Sequence, residues 1–207
     1  MRTALLLLLA VPVIACGGDD AAAPVDAPAD DGAVAIDAAP AADAGPDAAA
    51  GPLQLTSTAI VEGGVIPVVH SCRGANTSPP LAWTGGPVAP GYALVFTDIT
   101  NTASPFLHSV LWDIPGSTTA LPEGIAKVYL PPVPAGSKQP LAYDNQTRGY
   151  LGPCPGSMHR YELALVAVDA NPLPGLDMTS SRTVVRDAIT AHALPGARAT
   201  LTATFTP

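Results

Sequence analysis

Apolar and polar positions fall into three regimes along the chain. Residues 3–15, TALLLLLAVPVIA, are almost continuously apolar. Residues 17–52 contain no leucine and no aromatic residue and show no period. From Leu53 onward, short β-branched or aromatic runs alternate with Gly- and Pro-rich breaks. These runs predict strands at Leu53–Ile60, Val65–His70, Leu81–Thr84, Tyr92–Asp98, Leu107–Ile114, Tyr161–Asp169 and Ala199–Phe205. The last alternates cleanly, with Leu201, Ala203 and Phe205 on one face and Thr200, Thr202 and Thr204 on the other. Tyr161–Asp169 is apolar on both faces, the mark of a central, buried strand. On an ideal strand, His108 shares a face with Val110 and Trp112, opposite Leu107, Ser109 and Leu111. One helix is predicted, Arg182–Ala193, capped by Ser180 or Ser181 and stopped by Pro195-Gly196. There is no internal repeat and no heptad run.

The first regime is an address. Arg2 precedes an apolar stretch of signal-peptide length, shorter than the roughly 18–20 residues of a membrane span. The stretch ends in Val13-Ile14-Ala15-Cys16, which resembles a bacterial lipobox, with residues 1–15 as signal peptide and Cys16 as the lipidated N-terminus. An ordinary secretory signal with an incidental cysteine is the alternative. The second regime holds fifteen Ala, eight Asp, five Gly, five Pro and no Lys or Arg over residues 17–52. It buries too little apolar surface to offset ordering, so residues 16–52 are expected to be a disordered tether. The net charge of −8 resides largely here. Residues 53–207 carry nine acids and eight bases, which argues against nucleic acid as a partner. They also hold eighteen of the 24 prolines, so long helices are scarce and loops frequent.

Candidate chemistry gathers at strand ends. His108 lies on one predicted strand, Asp98 closes another, and His159-Arg160-Tyr161 leaves a Gly/Pro-rich loop to start a third. Convergence of these ends would put two imidazoles and a carboxylate in one pocket, suited to a small zwitterion or phosphate ester. Each histidine taken alone reads more readily as a satisfied core residue than as a ligand group. A two-His, one-carboxylate metal triad is a second possibility, though no metal-ligand spacing supports it. A serine hydrolase would need a Gly-x-Ser-x-Gly elbow, and Gly156-Ser157-Met158-His159 is not one. Cys72 and Cys154 remain once Cys16 is lipidated. An exported protein can bridge them, and two buried free thiols are the alternative.

Several segments, in this order, resemble the phosphatidylethanolamine-binding protein family in its bacterial Raf-kinase-inhibitor-like branch. They are Leu55–Ile60, Gly63–Pro67, Cys72-Arg73-Gly74-Ala75-Asn76-Thr77-Ser78-Pro79-Pro80-Leu81-Ala82-Trp83, His108–Pro115, Gly149–Tyr161 with Gly-Pro-Cys-Pro ahead of His-Arg-Tyr, and Ala188–Leu194. The resemblance spans nearly all of residues 53–207. It implies a mainly-β sandwich with a large central sheet, a smaller sheet and one or two short helices. It also implies a small anion site formed by Asp98, His108, Pro155, His159 and Tyr161, with Arg160 structural. The chain departs from the family where Asp98-Ile99-Thr100-Asn101-Thr102 replaces the usual Asp-Pro-Asp-x-Pro, and where Ser109 replaces an aromatic residue. The rim is thereby less acidic and its loop less rigid.

The expected function is a membrane-tethered binding protein for a small anionic or phosphorylated ligand. No catalytic residue, cofactor or metal is expected. It would be anchored through Cys16 in a bacterial envelope, favouring the outer membrane, with its domain facing the periplasm or exterior. The alternatives are a regulator that contacts an envelope protein partner, as kinase- or protease-inhibiting relatives do, and a metal-dependent or hydrolytic enzyme using the same Asp/His cluster.

Overall fold

The computed structural model describes residues 51–207. The expected signal peptide, Cys16 and the tether up to residue 50 lie outside the described residues. Eight strands and one α-helix follow in order: β1 Gln54–Thr56, β2 Gly64–Val65, β3 Leu81–Thr84, β4 Gly91–Asp98, β5 Phe106–Pro115, β6 Ala120–Leu121, β7 His159–Val168, α1 Arg182–Ala191 and β8 Ala193–Phe205. They build a three-stranded sheet, β1-β3-β6, and a five-stranded sheet, β2-β8-β7-β4-β5. Pairing is antiparallel except between β2 and β8. The fold is thus mainly β, a large sheet with a small one, as the sequence implies.

The continuous apolar run of β7 places it between β8 and β4, where Leu163–Val168 is buried on both faces. One face, with Leu163 and Leu165 beside Phe96, Tyr92 and Leu201, meets Leu55, Leu81, Trp83 and Leu121 of the small sheet. The other, with Ala164, Val166 and Val168 beside Ala93, Val110 and Trp112, lies under Val185 and Ile189 of α1. Each fully buried aliphatic side chain contributes on the order of 1.5–3 kcal/mol. In β8 the predicted alternation is present: Leu201, Ala203 and Phe205 are buried and the intervening threonines are partly exposed.

Four local readings change. The Leu53–Ile60 run yields only β1, because the Ser57 hydroxyl donates to the Pro80 carbonyl and accepts from the Ala59 and Ile60 amides, turning the chain. The Val65–His70 run is not one strand. Pro67 has no amide to extend the pairing, and Val68–His70 forms a 3-10 turn. Helix α1 is capped by Ser181 and ends at Ala191, and Pro195-Gly196 is not its stop. His192 ends it: the His192 amide bonds the Ala188 carbonyl, and its ring Nδ1 meets Asp169 Oδ1 at 2.7 Å. Pro195 and Gly196 lie within β8, in an arch: Val168 pairs with Ala193 and Val166 with Arg198, leaving Leu194–Ala197 looped off the sheet.

The fourth change concerns β5. Phe96 pairs with Ser109 and Thr97 with Leu107, so His108 is the extra residue of a β-bulge. The bulge breaks the ideal alternation. Leu107, Val110 and Trp112 belong to the core under α1. His108 instead turns to the opposite face, against the rings of Phe96 and Tyr161.

Two loops are stapled together beside this bulge. A disulfide joins Cys72 to Cys154 with Cα atoms 5.3 Å apart. The Cys72 amide donates to the Pro153 carbonyl, the Tyr150 hydroxyl to the His70 carbonyl, and the Gly152 amide to Asn76 Oδ1. A Cβ at Gly152 would lie 2.0 Å from the His70 carbonyl oxygen, so the approach requires glycine. The bridge spans 82 residues of sequence. Its replacement by Cys72→Ser/Cys154→Ser is expected to cost about 3–5 kcal/mol in urea denaturation. A loss below about 1 kcal/mol would show that the hydrogen bonds alone hold the loops.

Candidate functional site

Three adjacent strands bring their ends together at one edge of the large sheet. Asp98 closes β4 and pairs in register with Tyr161 of β7 and Phe106 of β5. His159 opens β7, and His108 sits in the bulge of β5. Strand order therefore assembles residues 61 positions apart into one pocket of about 250 Å³. Asp98, His108, Pro155, His159 and Tyr161 all line it. Arg160 is exposed, and its backbone amide donates to Thr100 Oγ1. Three further lining residues were not legible in the sequence: Phe106, Tyr143 and Cys154. The Tyr143 amide bonds the His108 carbonyl, a contact between distant segments that no local pattern announces. Cys154 is held in the disulfide, so it forms wall and offers no thiol.

The two imidazoles are fixed differently. His108 is 4% exposed, and its Nδ1 lies 3.1 Å from the Leu151 carbonyl, which can only accept. The proton therefore sits on Nδ1, and Nε2 of the neutral ring is an acceptor. Burial pushes the His108 pKa down, beyond what the Leu151 carbonyl and the Asp98 charge restore. His159 is more open. Its side chain is 34% exposed, and Nδ1 lies 2.5 Å from Asp98 Oδ2. Burial raises the Asp98 pKa, but hydrogen bonds from Thr100 and His159 outweigh it and hold the carboxyl below its ordinary value. Tyr161 is pushed well up, first by burial and then by the Asp98 charge, so its hydroxyl keeps its proton. Tyr143 is also raised, by burial and Asp144.

The walls are aromatic. Phe106 and Tyr143 meet the His108 ring edge-on at centroid distances of 5.3 and 4.7 Å, and Tyr161 does so at 5.4 Å. Among the described residues, no lysine or arginine lines the pocket. The loop after Asp98, which lacks the prolines of the family pattern, is tied by other means. The Thr100 amide donates to Asp98 Oδ1, the Ile99 amide to the Arg160 carbonyl, and the Ala103 amide to Asn101 Oδ1. Ser109 faces the inter-sheet core and leaves the pocket wall to its neighbours.

The sequence model of the phosphatidylethanolamine-binding protein family matches residues 56–206. A UPF0098 protein of Methanothermobacter thermautotrophicus is 35% identical over 148 residues, which cover 70% of this chain and 95% of that protein. A Mycobacterium tuberculosis protein described as a lipoprotein, LppC, is 30% identical over 116 residues, covering 55% of this chain and 54% of that one. Among solved structures, Escherichia coli YbcL, described as a member of the mammalian PEBP family, superposes with a TM-score of 0.65 at 28% identity. The match covers 75% of this chain and 99% of YbcL. A homologue from Chlamydia trachomatis gives a TM-score of 0.62 at 26% identity, covering 75% and 98%.

Because burial lowers the pKa of His108, the unfolded chain binds a proton that the native state refuses. Native stability therefore falls as pH drops below about 6.5, with a slope from this group of up to about 1.4 kcal/mol per pH unit. Asp98 adds a loss only at lower pH, as its depressed carboxyl is protonated. Urea denaturation from about pH 7.5 to 5 is expected to show this slope in the wild type and a flatter one in His108→Gln. Equal slopes would remove His108 as its source.

Proposed function

The chain belongs to the phosphatidylethanolamine-binding protein family, and on that footing we propose that its pocket holds a small phosphate ester such as a phospholipid head group carries. The observation that carries this reading is the matched engagement of the two rings. Nδ1 of His108 is spent on Leu151 and Nδ1 of His159 on Asp98, which leaves each ring a single nitrogen, Nε2, for a ligand. With both rings neutral, both Nε2 atoms accept. A bound phosphoryl group must then carry a proton or arrive with one. His159, its Nδ1–H held by Asp98 Oδ2, turns Nε2 toward the ligand as the more open of the two contacts for a phosphoryl group. His108, held neutral, accepts from a phosphate hydroxyl or an ammonium group.

With no lysine or arginine among the described lining residues, a monoanion or zwitterion is favoured over a dianion. The Phe106 and Tyr143 rings offer faces for the aliphatic or ammonium end of such a molecule. The Tyr161 hydroxyl, kept protonated, adds a donor. In this reading the protein is a binding module, tethered to the bacterial envelope through lipidated Cys16. The lipoprotein description of LppC supports that tether.

The test is a titration of the full chain with phosphorylethanolamine, followed through the histidine ring NMR signals, with inorganic phosphate as a second ligand. Shifts confined to His108 and His159 are expected, since these two rings line the pocket. His159→Ala is expected to weaken binding about tenfold or more while leaving the fold intact. The absence of shifts at millimolar ligand, or unchanged affinity in His159→Ala, would overturn the reading.

A further inference from the structure

A second and larger cavity, about 620 Å³, opens on the other face of the large sheet. Its floor is Val95, Leu107, Ala164 and Val166, and its roof is Ile189 of α1 with the Leu194–Ala197 arch of β8. It exists because α1 is short. Its ten residues bury only Val185 and Ile189, which cover part of this sheet face. The arch, with Pro195 and with Gly196 at φ 69°, stands off the sheet and leaves the apolar floor open beneath it. The β4–β5 hairpin separates this groove from the histidine pocket. Thr97, Ile99, Pro105 and Leu107 line the groove, while Asp98, Phe106 and His108 line the pocket.

We propose that the groove binds an anionic amphiphile of the fatty-acid class, its apolar tail under the arch and its carboxylate against Arg186 and Arg198. Charge at the rim selects the sign. The lining carries two guanidinium groups and one carboxylate, Glu162. Arg198 is paired with Glu162, which holds it at the rim. Arg186 is paired with its neighbour Asp187 at an exposed position, the two side chains 44% and 63% accessible. An ion pair so exposed to water holds weakly, so this guanidinium can re-pair with an incoming carboxylate. The cavity lies within the range of about 300–1,000 Å³ typical of small-molecule sites, and its mostly apolar lining with few charges suits a long aliphatic chain. This inference is independent of the phosphate-ester reading, since no residue of the histidine pocket takes part.

The test uses the full chain and titrates octanoate, decanoate and dodecanoate by displacement of a fluorescent fatty acid, with dodecyltrimethylammonium as the cationic control. Affinity is expected to rise up to about fourfold per added methylene. Thr190→Trp, at an exposed groove position on α1, and Arg186→Glu/Arg198→Glu are each expected to weaken decanoate at least about tenfold. The double reversal should also turn preference toward the alkylammonium, while His159→Ala should leave fatty-acid binding unchanged. Circular dichroism checks that each variant is folded. Absence of saturable binding, or wild-type affinity in Thr190→Trp, would overturn the proposal. So would loss of binding in His159→Ala, which would make the tail part of a head-group ligand. A dimer that Thr190→Trp dissociates, with no fatty acid bound, would give the groove to a second copy and likewise overturn it.

Discussion

The site rests on one hydrogen bond, from His108 Nδ1 to the Leu151 carbonyl. The residues on both sides of that carbonyl are themselves tied down. Tyr150 is tied to His70, Gly152 to Asn76, and Pro153 to Cys72, which the disulfide secures. The staple thus fixes an acceptor, the acceptor fixes a tautomer, and the tautomer decides that a buried imidazole presents a lone pair. The β-bulge is the matching condition on the other side. Without the extra residue in β5, His108 would point into the core under α1, away from Leu151.

The second constraint is the Asp98 carboxylate, whose two oxygens do different work. Oδ1 accepts from the Thr100 amide and closes the loop, while Oδ2 orients His159. The loop that departs from the family pattern therefore has its own anchoring. Thr100 contributes twice, through its amide to Asp98 and through its hydroxyl to the Arg160 amide. A hydrogen-bonded turn does here what paired prolines do by restricting φ.

Much of the architecture was legible in the chain. The unbroken apolar run of β7 predicted a central strand, and the Leu/Ala/Phe alternation of β8 predicted a face on the core. The five site residues implied by the resemblance line one pocket. What could not be read were features that depend on partners distant in sequence. A bulge is a property of two strands in register, so β5 alone could not say that His108 faces Phe96. Tyr143 reaches the wall because its amide finds the His108 carbonyl, 35 residues away in sequence. Pro195-Gly196 carries a helix-stop signal, yet the stop is His192 paired to Asp169, and the same two residues shape an arch.

The β4–β5 hairpin serves both cavities by strict alternation: Thr97 to one, Asp98 to the other, Ile99 to the first, then Pro105, Phe106, Leu107 and His108 in the same order. It therefore has a reading frame. Inserting or deleting a single residue within a paired arm would move every polar and aromatic group of one lining to the other side at once. Two unrelated surfaces are written on one ribbon. Substitution can tune either surface alone, whereas a change in arm length must rewrite both.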